Sequence, residues 1–308
     1  MQKPLRVAVI GAGKLGQRHA QVYSTMPDIE FVGVCDIHED KARETAVKYR
    51  TRAFTDHREL LKHVDAASIV VPSEKHYTIS KDFIEGGTHL LIEKPITTRL
   101  DEADKLLVLA KQYSSILQIG HIERFNSAVR HIRDIVKNPR FLESHRLGPY
   151  DARVAATGVT LDLMIHDIDI ILDLVKSKVK SIDAVGACIV SDTEDLASAR
   201  IHFENGSVCN MTASRLTTEA QRRIRIFQDN AYISLDYIAQ EAQITTRDGQ
   251  GTHHEKLDIT KGDSLKAELS DFIDCVRENR RPLVSGLEGR EALAVALEIS
   301  RQIHSGGR

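Results

Sequence analysis

Residues 7–20 read VAVIGAGKLGQRHA, and this stretch decides how the first third of the chain folds. Val7 to Ile10 form a continuous apolar run, as in a parallel strand covered on both faces. The run ends in Gly11, Gly13 and Gly16, spaced G-x-G-x-x-G, and a helical pattern follows at once. Gly11 permits a tight turn, Gly13 lets a pyrophosphate approach the backbone, and Gly16 allows close packing of helix on strand. Free N–H groups and the helix dipole then face the phosphates, with Lys14 and Leu15 carried in the same loop. A glycine triplet alone is a weak signal. Asp36 strengthens it by ending the next apolar run, EFVGVCD (30–36), twenty residues beyond Gly16. An acid at that point holds the adenosine ribose hydroxyls. It also repels a 2′-phosphate, so NAD is the expected cofactor and NADP the poorer one. His38 and Arg43 weaken that preference without reversing it.

The same rhythm continues outward from the loop. Short apolar runs at 5–10, 30–36, 66–71, 88–93 and 114–120 alternate with amphipathic segments near 14–26, 39–49, 56–63, 74–86 and 99–112. That is the βαβ alternation of a doubly wound α/β sheet, a Rossmann domain over residues 1–122. Beyond it a helix near 124–137 and a strongly apolar helix near 161–175 precede strand patterns at 179–190, 195–203, 206–214, 222–228, 231–235 and 240–246. Consecutive strands joined by turns, such as ENG (204–206), predict a largely antiparallel open sheet. Helices near 264–278 and 288–304 close the chain. Residues 123–308 therefore read as an α+β substrate-binding and oligomerisation domain, whose last helix is available to pack back on the first.

With 42% hydrophobic and 28% charged residues among 308, the composition is globular. Lys plus Arg (42) nearly balances Asp plus Glu (44), so no global field attracts nucleic acid or an anionic membrane. Cys35, Cys188, Cys209 and Cys275 are scattered, which argues against a zinc site and a disulfide framework and suits a reducing cytoplasm. The N-terminal apolar run is too short for a signal peptide or a membrane span.

Two constellations carry chemistry. LLIEKPITT (90–98) runs from a buried strand into Glu93, Lys94 and Pro95, at the strand's carboxyl end where ligands of such sheets bind. A lysine on a β–α turn is, taken alone, most often a solvated surface residue. The second is TGVTLDLMIHDIDIILDLV (157–175), where Asp162 and His166 lie four apart on one helix face, continued by Asp169 and Asp173. A helix this apolar is largely buried, so its ionisable residues pair, line a site or bind a metal. No second histidine or cysteine stands at a suitable spacing, so no metal is expected, and a structural Asp162–His166 pair is the plain alternative.

The glycine loop, VPSEKH (71–76), EKP (93–95) and Asp162-x-x-x-His166, in this order, resemble the Gfo/Idh/MocA oxidoreductases over nearly the whole chain. The resemblance implies that Lys94, Asp162 and His166 surround the transferred hydride. It places His76, with Pro72 and Glu93, near the cofactor, and implies a cis Lys94–Pro95 bond. Ser73 departs from the asparagine common in the family. Oxidation of a secondary alcohol needs a base on the hydroxyl. Either Lys94, with its pKa lowered by burial and by the nicotinamide charge, or His166, oriented by Asp162, meets that need; His166 as base with Lys94 as polariser is the preferred arrangement.

HIERFN (121–126) and the apolar helix are similar to a bacterial subgroup that oxidises UDP-N-acetylglucosamine at C3, which implies a nucleotide-sugar substrate and places Arg124 and Asn126 near it. Helix capping and surface charge are the plain alternative for these two. Arg215, Arg222, Arg223 and Arg225 cluster along SRLTTEAQRRIRIF (214–227), where arginine forks suit a diphosphate or simply line a solvated sheet face. A free polyol such as an inositol is a second substrate class. A non-catalytic NAD-sensing protein is a third reading, against which Lys94 and His166 both speak. A homo-oligomer, dimer or tetramer, is expected, because Ile224, Ile226, Ile233 and Leu235 offer more apolar sheet than one helix layer covers.

Overall fold

The computed structural model describes residues 3–151, 156–249 and 251–306. The first stretch of chain forms β1 (Leu5–Ile10), α1 (Lys14–Tyr23), β2 (Ile29–Cys35), α2 (Glu39–Tyr49), β3 (Arg52–Phe54), β4 (Ala66–Ile69), α3 (His76–Glu85), β5 (His89–Glu93), α4 (Leu100–Gln112) and β6 (Leu117–Gly120). All six strands are parallel, in the order β3-β2-β1-β4-β5-β6. The order reverses between β1 and β4, and that switch point opens a crevice at the carboxyl ends of the strands. The helix expected near 56–63 is a single 3-10 turn, His57–Leu60, and β3 is too short to register as a pattern.

The chain continues through α5 (Ser127–Arg133), β7 (Phe141–Leu147), α6 (Ile165–Val175), β8 (Val179–Ala187), β9 (Leu196–Phe203), β10 (Val208–Ser214), β11 (Gln221–Gln228), β12 (Ala231–Asp236), β13 (Glu241–Asp248) and β14 (Gly251–Lys256). These eight strands form a second sheet, β14-β13-β12-β11-β7-β10-β9-β8, antiparallel throughout except for the β7–β10 pair. The long helix expected over 124–137 is shorter, a 3-10 turn at Ile122–Phe125 followed by α5, because Asn126 caps α5 by accepting from the Ala128 N–H. One sheet face builds a core with α6. Ile224, Ile226, Ile233 and Leu235, expected to need a second copy, are each fully buried there beside Ile168 and Ile171 and need none to cover them.

Helices α7 (Ser264–Glu278) and α8 (Gly286–Gly306) close the chain. Two compact units result: Met1–Ile122 with Leu265–Arg290, and Glu123–Ser264 with Glu291–Arg308. This partition differs from a cut at residue 122. Leu265, Leu269, Phe272 and Ile273 of α7 join the core of Val7, Val9 and Leu91 in the first unit. Residues 284 and 285 run beside β6, where the Ile119 N–H donates to the Val284 carbonyl at 2.9 Å. The later part of α8 packs in the second core through Ala292, Val295, Ala296 and Ile299.

Candidate active site

In the first unit the glycine loop is forced by contact as well as by conformation. Gly11 has φ +108°, and a Cβ there would meet the Val70 carbonyl oxygen at 2.2 Å. A Cβ on Gly16 would lie 1.8 Å from the Gly11 oxygen, so α1 sits as close to β1 as backbones allow. Gly13, by contrast, faces open space. It is also the N-cap of α1 and brings no side chain to cap the free N–H groups, which leaves them to an anion. Asp36, just past β2, accepts from the Ala12 N–H at 2.7 Å through Oδ2 and from the His38 N–H at 2.9 Å through Oδ1. Each carboxylate oxygen has a further lone pair. The cradle fits a dinucleotide: open backbone for phosphate, and a fixed acid just past β2 with lone pairs to spare.

The turn after β5 carries Lys94. Its Lys94–Pro95 peptide bond is cis, and Lys94 itself is partly buried. Two buried histidines fix the segment. His76, the first residue of α3, places Nδ1 2.8 Å from the Pro95 carbonyl and Nε2 3.0 Å from the Val71 carbonyl, between the ends of β4 and β5, and in its neutral form donates to one of the two. Burial lowers its pKa, against the opposing pull of those carbonyls. His19 of α1 meets the Glu93 carboxylate at 3.1 Å, so the acid next to Lys94 has a partner on the helix that follows the glycine loop. Pro72 precedes the 3-10 turn Ser73–Lys75 and accepts from the Lys75 N–H at 2.8 Å. Gly11, Gly13, Lys14, Leu15, Gly16, Asp36, Pro72, His76, Glu93 and Lys94 thus all belong to one unit: Lys14, Leu15 and Gly16 stand in the first turn of α1 and not in the loop, His76 begins α3, and the others lie on loops and strand ends.

In the second unit Asp162 lies in a π-helical turn, Thr160–Met164, that runs into α6 and His166. Such turns concentrate at functional sites. Asp162 and His166 are partly exposed, whereas Asp167, Ile168, Asp169, Ile170 and Ile171 are buried. Buried ion pairs set the helix in place. Arg146 donates from Nε and Nη2 to both oxygens of Asp167 at 3.0 Å each, and from Nη1 to Glu123 at 3.0 Å. Burial works against the Arg146 charge, but the two carboxylates outweigh it and hold its pKa above the usual range. Arg124 pairs with Asp169 at 3.1 Å and with Asp173, which Arg133 also holds at 2.9 Å. The start of the helix is tied to Glu194, whose backbone oxygen accepts from the Val159 N–H at 2.9 Å. Its carboxylate fills the space that a Cβ on Gly158 would occupy and reaches His304 at 3.1 Å.

Several expectations from the sequence change here. Arg124 and Asn126, read as substrate contacts, are 4% and 3% exposed. Arg124 is committed to Asp169 and Asp173, while Asn126 caps α5 and donates to Glu123 and the Tyr237 carbonyl. Both build the support of α6 instead. Asp169 and Asp173 likewise serve these ion pairs. Sequence reasoning missed Arg146, Asp167, Glu123, His19 and Glu194. A charge inside an apolar pattern, such as Asp167 among isoleucines, was the available signal. Among the described residues no group of three or more His, Cys, Asp or Glu side chains is arranged to hold a metal ion, and no helix is long and apolar enough to cross a membrane.

A doubly wound sheet with this loop, an acid closing β2 and a lysine on the turn after β5 defines a nicotinamide-dependent oxidoreductase. Residues 5–121 match the family profile described as "Oxidoreductase family, NAD-binding Rossmann fold", and residues 117–234 match the GFO/IDH/MocA C-terminal domain. The chain belongs to the Gfo/Idh/MocA family of oxidoreductases. It is 38% identical over 303 residues to UDP-N-acetylglucosamine 3-dehydrogenase from Acidithiobacillus ferrooxidans, covering 96% of each chain. A solved structure of that enzyme superposes with a TM-score of 0.94 at 37% identity, covering 99% of both chains. Myo-inositol 2-dehydrogenase from Thermotoga maritima is 25% identical, covering 97% of this chain and 96% of its own.

Proposed function

We propose that the chain is an NAD-dependent dehydrogenase of a UDP-sugar, oxidising the C3 hydroxyl of UDP-N-acetylglucosamine. The observation that carries this reading is the similarity to the Acidithiobacillus enzyme along nearly the whole of both chains. When bound, the nicotinamide supplies the hydride acceptor. The chain's own residues do the rest. Lys94 holds and polarises the reacting hydroxyl oxygen, His166 takes its proton, and Asp162 orients the imidazole. The alternative assignment, Lys94 as base, uses the same groups with the roles exchanged. Preference for NAD over NADP follows from Asp36, which repels a 2′-phosphate.

A free polyol is the second reading, favoured by the inositol dehydrogenase among the relatives. Initial rates of cofactor reduction with UDP-N-acetylglucosamine, N-acetylglucosamine and myo-inositol separate the two. Turnover confined to the nucleotide sugar is the expected result. Equal or faster turnover of myo-inositol overturns it, and no turnover with any of a broad sugar panel returns the non-catalytic reading.

A further inference from the structure

The second unit sorts the four clustered arginines by what each already holds. Arg215 is buried; it donates to Asp195 at 2.7 Å, to the Thr157 carbonyl at 2.8 Å and to the hydroxyls of Ser191 and Thr193. Arg223 and Arg225 point to the outer sheet face, where they donate to Asp236 at 3.0 Å and Glu143 at 2.7 Å. Arg222 points the other way, by alternation along β11. It lies directly opposite Arg146 in the β7–β11 register, and so beside the ion pair that anchors the helix of Asp162 and His166.

Arg222 is 46% exposed on its side chain and, among the described residues, has one acidic neighbour within ion-pair distance, Glu123 at 3.9 Å. Glu123 is already engaged by Arg146 at 3.0 Å and by Asn126 at 3.2 Å. Among the described residues the Arg222 guanidinium donates no side-chain hydrogen bond. Its surroundings press on the charge: burial and then Arg146 lower its pKa, with Glu123, Asp167 and Asp162 opposing. A guanidinium nonetheless stays protonated in proteins. A planar fork that is charged, partly desolvated, next to another cation and unused as a donor suits two oxygens of a phosphate.

We infer that Arg222 binds the anionic part of the substrate, the diphosphate of a nucleotide sugar, and sets the preference for that class over uncharged sugars. This rests on the substrate reading above. The competing role is charge balance for Glu123, and a half-exposed contact at 3.9 Å contributes little to stability.

The test is binding of UDP alone to the full chain, by calorimetry, in wild type, Arg222→Gln and Arg222→Lys, with NADH affinity and melting temperature as controls. Loss of a charge-assisted fork predicts about a ten- to hundredfold weaker UDP affinity in Arg222→Gln, with NADH affinity unchanged. Arg222→Lys keeps the charge without the fork and recovers only part of the loss. Wild-type UDP affinity in Arg222→Gln overturns the assignment and leaves the nucleotide-sugar reading standing. Should that variant not fold, wild-type affinity in Arg222→Lys overturns it instead. A wild-type protein that binds no UDP but oxidises uncharged sugars removes both.

Discussion

The imidazole of His76 bridges to the carbonyl of Pro95 at 2.8 Å, and so clamps the turn on which Lys94 stands. A side chain held on so fixed a base is pre-organised for one oxygen position. Lys94→Ala therefore lowers kcat by about a hundred- to ten-thousandfold, with NADH affinity and melting temperature near wild type. Lys94→Arg restores little, because the guanidinium is planar, bulkier and not usefully deprotonated. Near-wild-type turnover in Lys94→Ala refutes the assignment.

His166→Ala loses a comparable factor, and the Lys94→Ala/His166→Ala double variant is only slightly worse than either. Groups that act on one proton transfer are strongly non-additive. Multiplied losses in the double variant, measured as kcat with UDP-N-acetylglucosamine, would show instead that the two act in separate steps.

His89 makes stability pH-dependent. Its Nδ1 accepts the Ile116 N–H at 2.9 Å, a bond that protonation of Nδ1 destroys, and burial lowers its pKa. The unfolded chain then binds the proton more readily than the folded one. Stability is complete above the unfolded value of about 6.5 and declines as pH falls below it. His76 acts in the same direction. Urea melts of wild type and His89→Gln between neutral and mildly acidic pH should show a shallower decline in the variant; parallel curves contradict this.

Asp36→Ser removes both the acid proposed to meet the ribose and the acceptor that holds the Ala12 N–H. NAD affinity falls about ten- to hundredfold, as for a lost charge-assisted contact, and the ratio of NAD to NADP affinity narrows. An unchanged ratio by calorimetry dismisses Asp36 as the selector.

The Arg146–Asp167 pair is fully buried. Arg146→Met strands the Asp167 charge, takes the nearest cation from Glu123 and costs about 3–5 kcal/mol, whereas adding Asp167→Leu returns the part owed to Asp167. Urea denaturation of the two variants checks this, and an equally unstable double variant speaks against a simple pair.

What the sequence made legible follows from physical pattern. Five of the six parallel strands, the glycine loop and Asp36 were readable because their apolar continuity and spacing are local properties. β7 was not, although it lies at the centre of the second sheet. Its inward residues are Leu142, Ser144 and Arg146, so alternation of polarity disappears where the strand faces an ion pair. β14, GTHHEK, is exposed on every residue and has no face to read. Of the candidate catalytic residues, Lys94, Asp162 and His166 stood out from motif context. Arg124 misled because its partners Asp169 and Asp173 lie more than forty positions away, and nothing local announces such a pairing.

The return of α7 to the first unit bears on how the chain is made. When residue 122 leaves the ribosome, every strand of the parallel sheet exists, but Leu265, Leu269, Phe272 and Ile273 do not. At ordinary elongation rates they arrive roughly 7–30 s later. Meanwhile their partners among Val7, Val9 and Leu91 lack part of their cover, a condition that invites chaperones. The second core waits longer still, for Ala292 to Ile303. Neither core is complete until nearly the whole chain is made, and a chain terminated before Leu265 leaves both open.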